Sequence, residues 1–115
     1  DSLAFRATIT NRDLNAIAAD RLRVDVGSAE RLAELLAGRP ADLLLCNILA
    51  PVIEALCPLF ASLVAADGLG LLSGLLVEQA PALQAALARE GWQSELTARQ
   101  SQWGLLQIRR AAVVA

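Results

Sequence analysis

The chain has 115 residues, 56% apolar and 19% charged, with a net charge of −2, two cysteines and no histidine. One domain fits that length, and the composition excludes a disordered tail or a basic arm for nucleic acid. Two cysteines without histidine cannot close a four-ligand zinc shell and are too few for a disulfide framework, so no metal site and a reducing, cytoplasmic setting are expected.

Asp1 or Ser2 can cap a first helix running to about Leu14, with Leu3, Ala7, Leu14 and Ile17 as a weak apolar stripe. Asn15 suits the left-handed position after a helix. Arg21–Val26 alternates polar and apolar residues, a strand pattern that Gly27 ends. Ser28 then caps a short helix, with Glu30 at its positive end and Gly38 and Pro40 as its stop. Asp42–Asn47 is an apolar run between turn signals, which suits a strand buried on both faces.

The next helix starts near Pro51, with its cap expected at Ala50 and a kink or broken turn at Pro58. Asp67-Gly68 turns the chain into a second buried strand, Leu69–Leu75. Val77–Glu90 reads as a helix with Pro81 in its first turns and Gly91 as its stop. Glu78 and Gln79 open it, where an acid is favourable. Trp92–Arg99 and Trp103–Arg109 read as strands joined through Gln100, Ser101 and Gln102 in a hairpin. This alternation predicts an α/β fold, a mainly parallel sheet covered by helices with an antiparallel end.

Mean hydropathy is +0.48, and Leu43–Ala66 is almost wholly apolar. Asn47, Pro51, Glu54 and Pro58 interrupt that stretch, and no uncharged run reaches the roughly 18 residues of a membrane span. The polar, helical start lacks the pattern of a signal peptide. The chain begins with Asp and contains no Met, so an upstream part is expected to be absent.

In open α/β sheets, ligands bind beyond the carboxyl ends of the strands. That rule selects Gly27-Ser28, Asn47 and Ser73-Gly74. Asn47 is the strongest of these, because a helix starting at Pro51 leaves it too far upstream to act as a cap. Its amide can both donate to and accept from a ligand. Ser28 is also explained as a cap, and Gly74 as either a close approach to a ligand or an eased turn. Trp103 reads as hairpin or core packing, and the arginines as a solvated face. No dinucleotide glycine loop, P-loop or nucleophile elbow is present.

Three segments, DSLAFRATITN at Asp1–Asn11, DLLLCNILAPVIEALCPLF at Asp42–Phe60 and GLGLLSGLLVEQ at Gly68–Gln79, resemble the PrmA family. These are class I S-adenosylmethionine-dependent enzymes that methylate a ribosomal protein of the large-subunit stalk base. The similarity runs from Asp1 to about Arg110. It implies an incomplete Rossmann-like sheet whose first two strands, with the glycine-rich cofactor loop, lie upstream. The chain would be the carboxyl-terminal portion of the methyltransferase domain and inactive by itself. It would place Asp42–Asn47, Leu69–Leu75, Trp103–Arg109 and Trp92–Arg99 side by side in that order. Arg21–Val26, parted from its native neighbour, would be loosely held or would pair with Asp42–Asn47.

The resemblance also assigns residues. Asn47 matches the asparagine that lies against the cofactor near the transferred methyl. Asp1 matches an acid beside the ribose-binding one, and Ser28 lies where related enzymes touch the adenine. Asn47 and Gly74 would face the substrate. Ser2 stands where the family usually has proline and Cys46 where it often has alanine; neither change removes a site group. The implied activity is methyl transfer from S-adenosyl-L-methionine to lysine or N-terminal amines of a large-subunit ribosomal protein, without direct nucleic-acid or membrane binding. A methyltransferase with a small-molecule or nucleic-acid substrate, or a non-catalytic α/β binding module, are the alternatives.

Overall fold

The computed structural model describes residues 1–112; residues 113–115, which the expected domain includes, lie outside it. The chain divides into two units, Asp1–Gly38 and Arg39–Ala115, each described by itself.

In the first unit, α1 (Ser2–Leu14) is capped by Asp1, whose Oδ1 accepts the Ala4 N–H at 2.7 Å. Its apolar stripe is exposed: Leu3 and Leu14 lie largely in solvent, and no residue of α1 is buried. The left-handed position falls on Ala16 (φ 54) and not on Asn15 (φ −96). Asn15 instead donates its side-chain amide to the Asn11 carbonyl at 2.7 Å. The chain reverses one residue later, where Ala16 N–H bonds Asp13 O and Ile17 N–H bonds Arg12 O. That pair of bonds is the Schellman closure, which requires its positive φ between them.

Arg21–Val26 is not a strand. Alternation defines two faces, but a strand exists only through a ladder of backbone bonds to a neighbour. No strand among the described residues pairs with this segment. Side chains tie it down instead: Arg12 Nη1 donates to Leu22 O at 3.2 Å, and Arg23 Nη1 to Leu35 O at 3.1 Å. Helix α2 (Ala29–Leu36) follows, with Ser28 in the cap position. The Ser28 hydroxyl does not cap, however, because it donates to the Glu30 carboxylate. Ala37 (φ 51) and Gly38 (φ 81) stop the helix in left-handed conformations.

The second unit is a four-stranded sheet in the order β1-β2-β4-β3, with β1 at Ala41–Asn47, β2 at Val64–Leu76, β3 at Trp92–Gln100 and β4 at Trp103–Arg110. This is the expected neighbour order. The sheet is mixed: β1 and β2 run parallel, while β4 is antiparallel to both β2 and β3. Asp67-Gly68 does not turn the chain: both residues lie inside β2, at an irregularity where the register shifts between Ala41 opposite Val64 and Leu43 opposite Leu69.

One face of the sheet is covered by helices. The segment after β1 runs as α3 (Ala50–Leu56), a 3₁₀ turn (Cys57–Leu59) and α4 (Phe60–Leu63). Pro58 cannot donate a backbone hydrogen bond, so the helix breaks there as expected. Its cap is Leu49, one residue before the expected Ala50, which puts Pro51 at the second helical position. Helix α5 (Ala80–Arg89) follows β2 through a 3₁₀ turn at Val77–Gln79. There Gln79 Oε1 accepts the Leu76 N–H at 2.9 Å, which caps the turn.

Ile53, Phe60, Leu72, Leu75, Leu87, Leu106 and Ile108 form the core between these helices and the sheet. The expectation that β1 is buried on both faces is wrong. Leu43 and Leu45 are 49% and 69% exposed. Residues two apart on a strand share a face, and the buried residues of the helical segments belong to the opposite one.

Nor are the arginines all solvated. The Arg110 guanidinium lies 4.6 Å above the buried Trp92 ring. Its Nη2 donates to the carbonyls of Ala61 at 2.7 Å and Val64 at 2.9 Å. Among the described residues no helix is long and apolar enough to cross a membrane.

Candidate functional site

β1 and β2 run parallel; β1 ends at Asn47, opposite Ser73, and β2 continues three residues further to Leu76. β4 starts where β2 ends, Trp103 pairing with Leu76. The turn of the β3–β4 hairpin therefore stands at the same edge as the ends of the parallel strands. Between them lies a cleft of about 1010 Å³, lined by Asn47, Ile48, Ser73, Gly74, Arg99 and Trp103 among others.

Asn47 is exposed at the end of β1, and the helix that follows is capped without any side-chain bond. Its amide is thus free of the capping duty that would have explained it. Gly74 explains its placement. Between Leu72 and Leu75 the β2–β4 register slips, β2 advancing three residues while β4 advances two. Gly74 sits in this bulge at φ +83, a conformation L-residues rarely adopt. A Cβ there would stand 2.6 Å from Ile48 O and 2.8 Å from Asn47 Oδ1. The missing side chain leaves room for the Asn47 amide to lie against the bulge.

The hairpin is held firmly beside these groups. Val77 N–H donates to Gln102 O at 2.8 Å, and Arg99 Nε donates to Ser101 O at 2.8 Å. Ser101 takes a positive φ of 55 in the turn. Trp103 is 48% exposed and forms a wall of the cleft, so it is not core packing. Arg99, Gln100 and Trp103 line the cleft, although sequence reasoning assigned none of them to a site. One signal for them was available: a hairpin following a parallel strand must turn at that strand's carboxyl end.

Burial pushes the thiol of Cys46, next to Asn47, above its ordinary value, so it stays protonated. Among the described residues, Arg99 is the one charged residue in the lining of this cleft, and no carboxylate lines it. Among the described residues no cluster of histidine, cysteine or acidic groups could hold a metal ion. Such a site can bind, orient and exclude water; it holds no acid–base pair.

The other two sequence candidates belong to the first unit. Asp1 spends one carboxylate oxygen on the Ala4 N–H. The Ser28 hydroxyl holds the Glu30 carboxyl below the usual glutamate range. Nearby, Arg31 bonds Asp25 at 2.6 Å and also Glu34.

A family profile described as "Ribosomal protein L11 methyltransferase (PrmA)" matches residues 1–111. The ribosomal protein L11 methyltransferase of Parasynechococcus marenigrum is 60% identical over 96% of this chain and 38% of its own length. That of a Synechococcus strain is also 60% identical, over 96% of this chain and 36% of its own length. The crystal structure of a ribosomal protein L11 methylase from Lactobacillus delbrueckii subsp. bulgaricus superposes with a TM-score of 0.76 at 31% identity. It covers 93% of this chain and 52% of that one. The chain thus spans little more than a third of the length of these curated relatives.

Proposed function

The chain belongs to the ribosomal protein L11 methyltransferase family, and on that premise we propose that it serves as the carboxyl-terminal part of a cytoplasmic methyltransferase domain. The enzyme transfers methyl groups from S-adenosylmethionine to lysine or N-terminal amines of ribosomal protein L11. The observation that carries this reading is the free Asn47 amide, seated by Gly74 at the mouth of a largely apolar cleft.

The residues present fit that cofactor. Gly74 lets the Asn47 amide lie against the β2 bulge at the cleft, and that amide offers both a donor and an acceptor. When bound, S-adenosylmethionine supplies a methyl carbon that is already electrophilic, and its carbon–sulfur bond breaks as the amine bonds to carbon. The protein's task is alignment. Asn47 Oδ1 accepts an N–H of the incoming amine and aims its lone pair, while Nδ2 donates to a ligand oxygen. Ile48 and Trp103 shield the reacting groups from water. The amine must arrive neutral, and its proton leaves to solvent after transfer; no base among the described residues lines the cleft.

The test is transfer of a labelled methyl group from S-adenosylmethionine to purified ribosomal protein L11 by the full-length enzyme. Labelled L11, with the label on lysine or the N-terminal amine, is the expected result. No label on L11 overturns the proposal.

A further inference from the structure

The cleft carries one charge that methyl transfer does not use. Arg99 sits at the end of β3 on the hairpin that closes the cleft beside Trp103. Its Nε is committed to the Ser101 carbonyl at 2.8 Å, and the turn itself is tied to the end of β2 through Val77 N–H and Gln102 O. The guanidinium is therefore mounted on a fixed element, with its two terminal nitrogens left over. No acidic side chain among the described residues pairs with it; the ion pairs there are made by Arg12 and Arg31.

An arginine whose Nε is anchored presents its remaining N–H groups as a planar fork, the geometry that suits a carboxylate. A reaction on a neutral amine gains nothing from a cation in direct contact with that amine. The charge is of use toward a carboxylate, and one on the acceptor beside the target amine would make it a selector of acceptors. We infer that Arg99 is a specificity-determining residue that selects acceptor segments carrying a carboxylate side chain close to the target amine. The inference rests on the methyltransferase reading above and adds to it the charge pattern of the segment that enters the cleft.

Two acceptor peptides test it, identical around a target lysine except for one neighbouring Glu or Gln. Each is titrated into the full-length enzyme by calorimetry and assayed for methyl transfer, with ribosomal protein L11 as the reference acceptor. The wild type should favour the Glu peptide by about fivefold in affinity and in kcat/KM, the size of one partly exposed charge-assisted bond. In Arg99→Gln the two peptides should become equal within about twofold, and in Arg99→Glu the preference should reverse. A merely structural role for Arg99 would weaken both peptides alike and leave their ratio unchanged. An unchanged ratio in Arg99→Gln, or no preference in the wild type while L11 is methylated, overturns the inference alone. Failure of the wild type to methylate L11 overturns the methyltransferase reading and the inference with it.

Discussion

The amide oxygen of Asn47 occupies space that a side chain on Gly74 would need: a Cβ at position 74 would lie 2.8 Å from Asn47 Oδ1 and 2.6 Å from the Ile48 carbonyl oxygen. The two residues come from adjacent parallel strands, Asn47 facing Ser73 across the ladder. The glycine is a backbone requirement of the site, since it holds the bulge and admits the asparagine together.

Gly74→Ala should therefore damage fold and site at once. A positive φ costs an L-residue roughly 1–2 kcal/mol, and the overlap adds about 1–3 kcal/mol of overpacking. Urea unfolding should show a lower midpoint at unchanged slope. An unaltered midpoint would contradict the close approach.

Asn47→Ala should act in the opposite way. Its side chain is exposed and caps nothing, so stability should stay within about 0.5 kcal/mol of the wild type. In the full-length enzyme, cofactor binding or turnover should fall tenfold or more, on the order of 1.4 kcal/mol. Calorimetry with S-adenosylmethionine and a methyl-transfer assay decide it; the assignment fails if both are unchanged.

Arg110→Ala removes the cation over Trp92 and the donor shared by the Ala61 and Val64 carbonyls. A loss of about 2 kcal/mol is expected from one charged hydrogen-bond donor and one cation–π contact. Arg110→Lys should not restore it fully, because a point charge lacks the planar face. Thermal unfolding of both variants measures the difference, and equal Tm values for wild type and alanine variant would refute the clamp.

In the first unit, the Val26 N–H and then Arg31 hold the Asp25 carboxyl below its ordinary value of 3.8. A depressed folded-state pKa contributes stability above the unfolded value and loses it as pH falls through the folded value. The Asp25–Arg31 link should accordingly persist at neutral pH and weaken below about pH 4. Carboxyl-carbon NMR titration should place Asp25 below 3.8 in the wild type and nearer to it in Arg31→Gln. Coincident titrations would show that the link does not form in solution.

Much of the second unit was legible in the sequence because its signals are local. Pro58 breaks a helix wherever it stands, Gly91 stops one, and two β-rich runs three residues apart pair as a hairpin. Asn47 was legible for the same reason: Pro51 suits only the first turn of a helix and opposes a start as early as Ile48, so a polar residue at a strand end without a capping role stands out. The neighbour order of the four strands came from resemblance, and the ladder shows the same order.

What the sequence determined by itself is therefore where elements start and stop, since caps, prolines and glycines act on their own few residues. Tertiary structure decided what those elements meet. Arg21–Val26 has a strand's pattern and no partner, so it forms no strand. Leu43 and Leu45 are apolar, yet β1 gains its helical cover on the other face only. Arg110 reads as a surface charge until Ala61, 49 residues earlier, offers its carbonyl. Arg99 and Trp103 became cleft residues because an antiparallel hairpin turns at the end of a parallel strand. Pairing and burial depend on groups distant in sequence, and no local propensity encodes which distant group arrives.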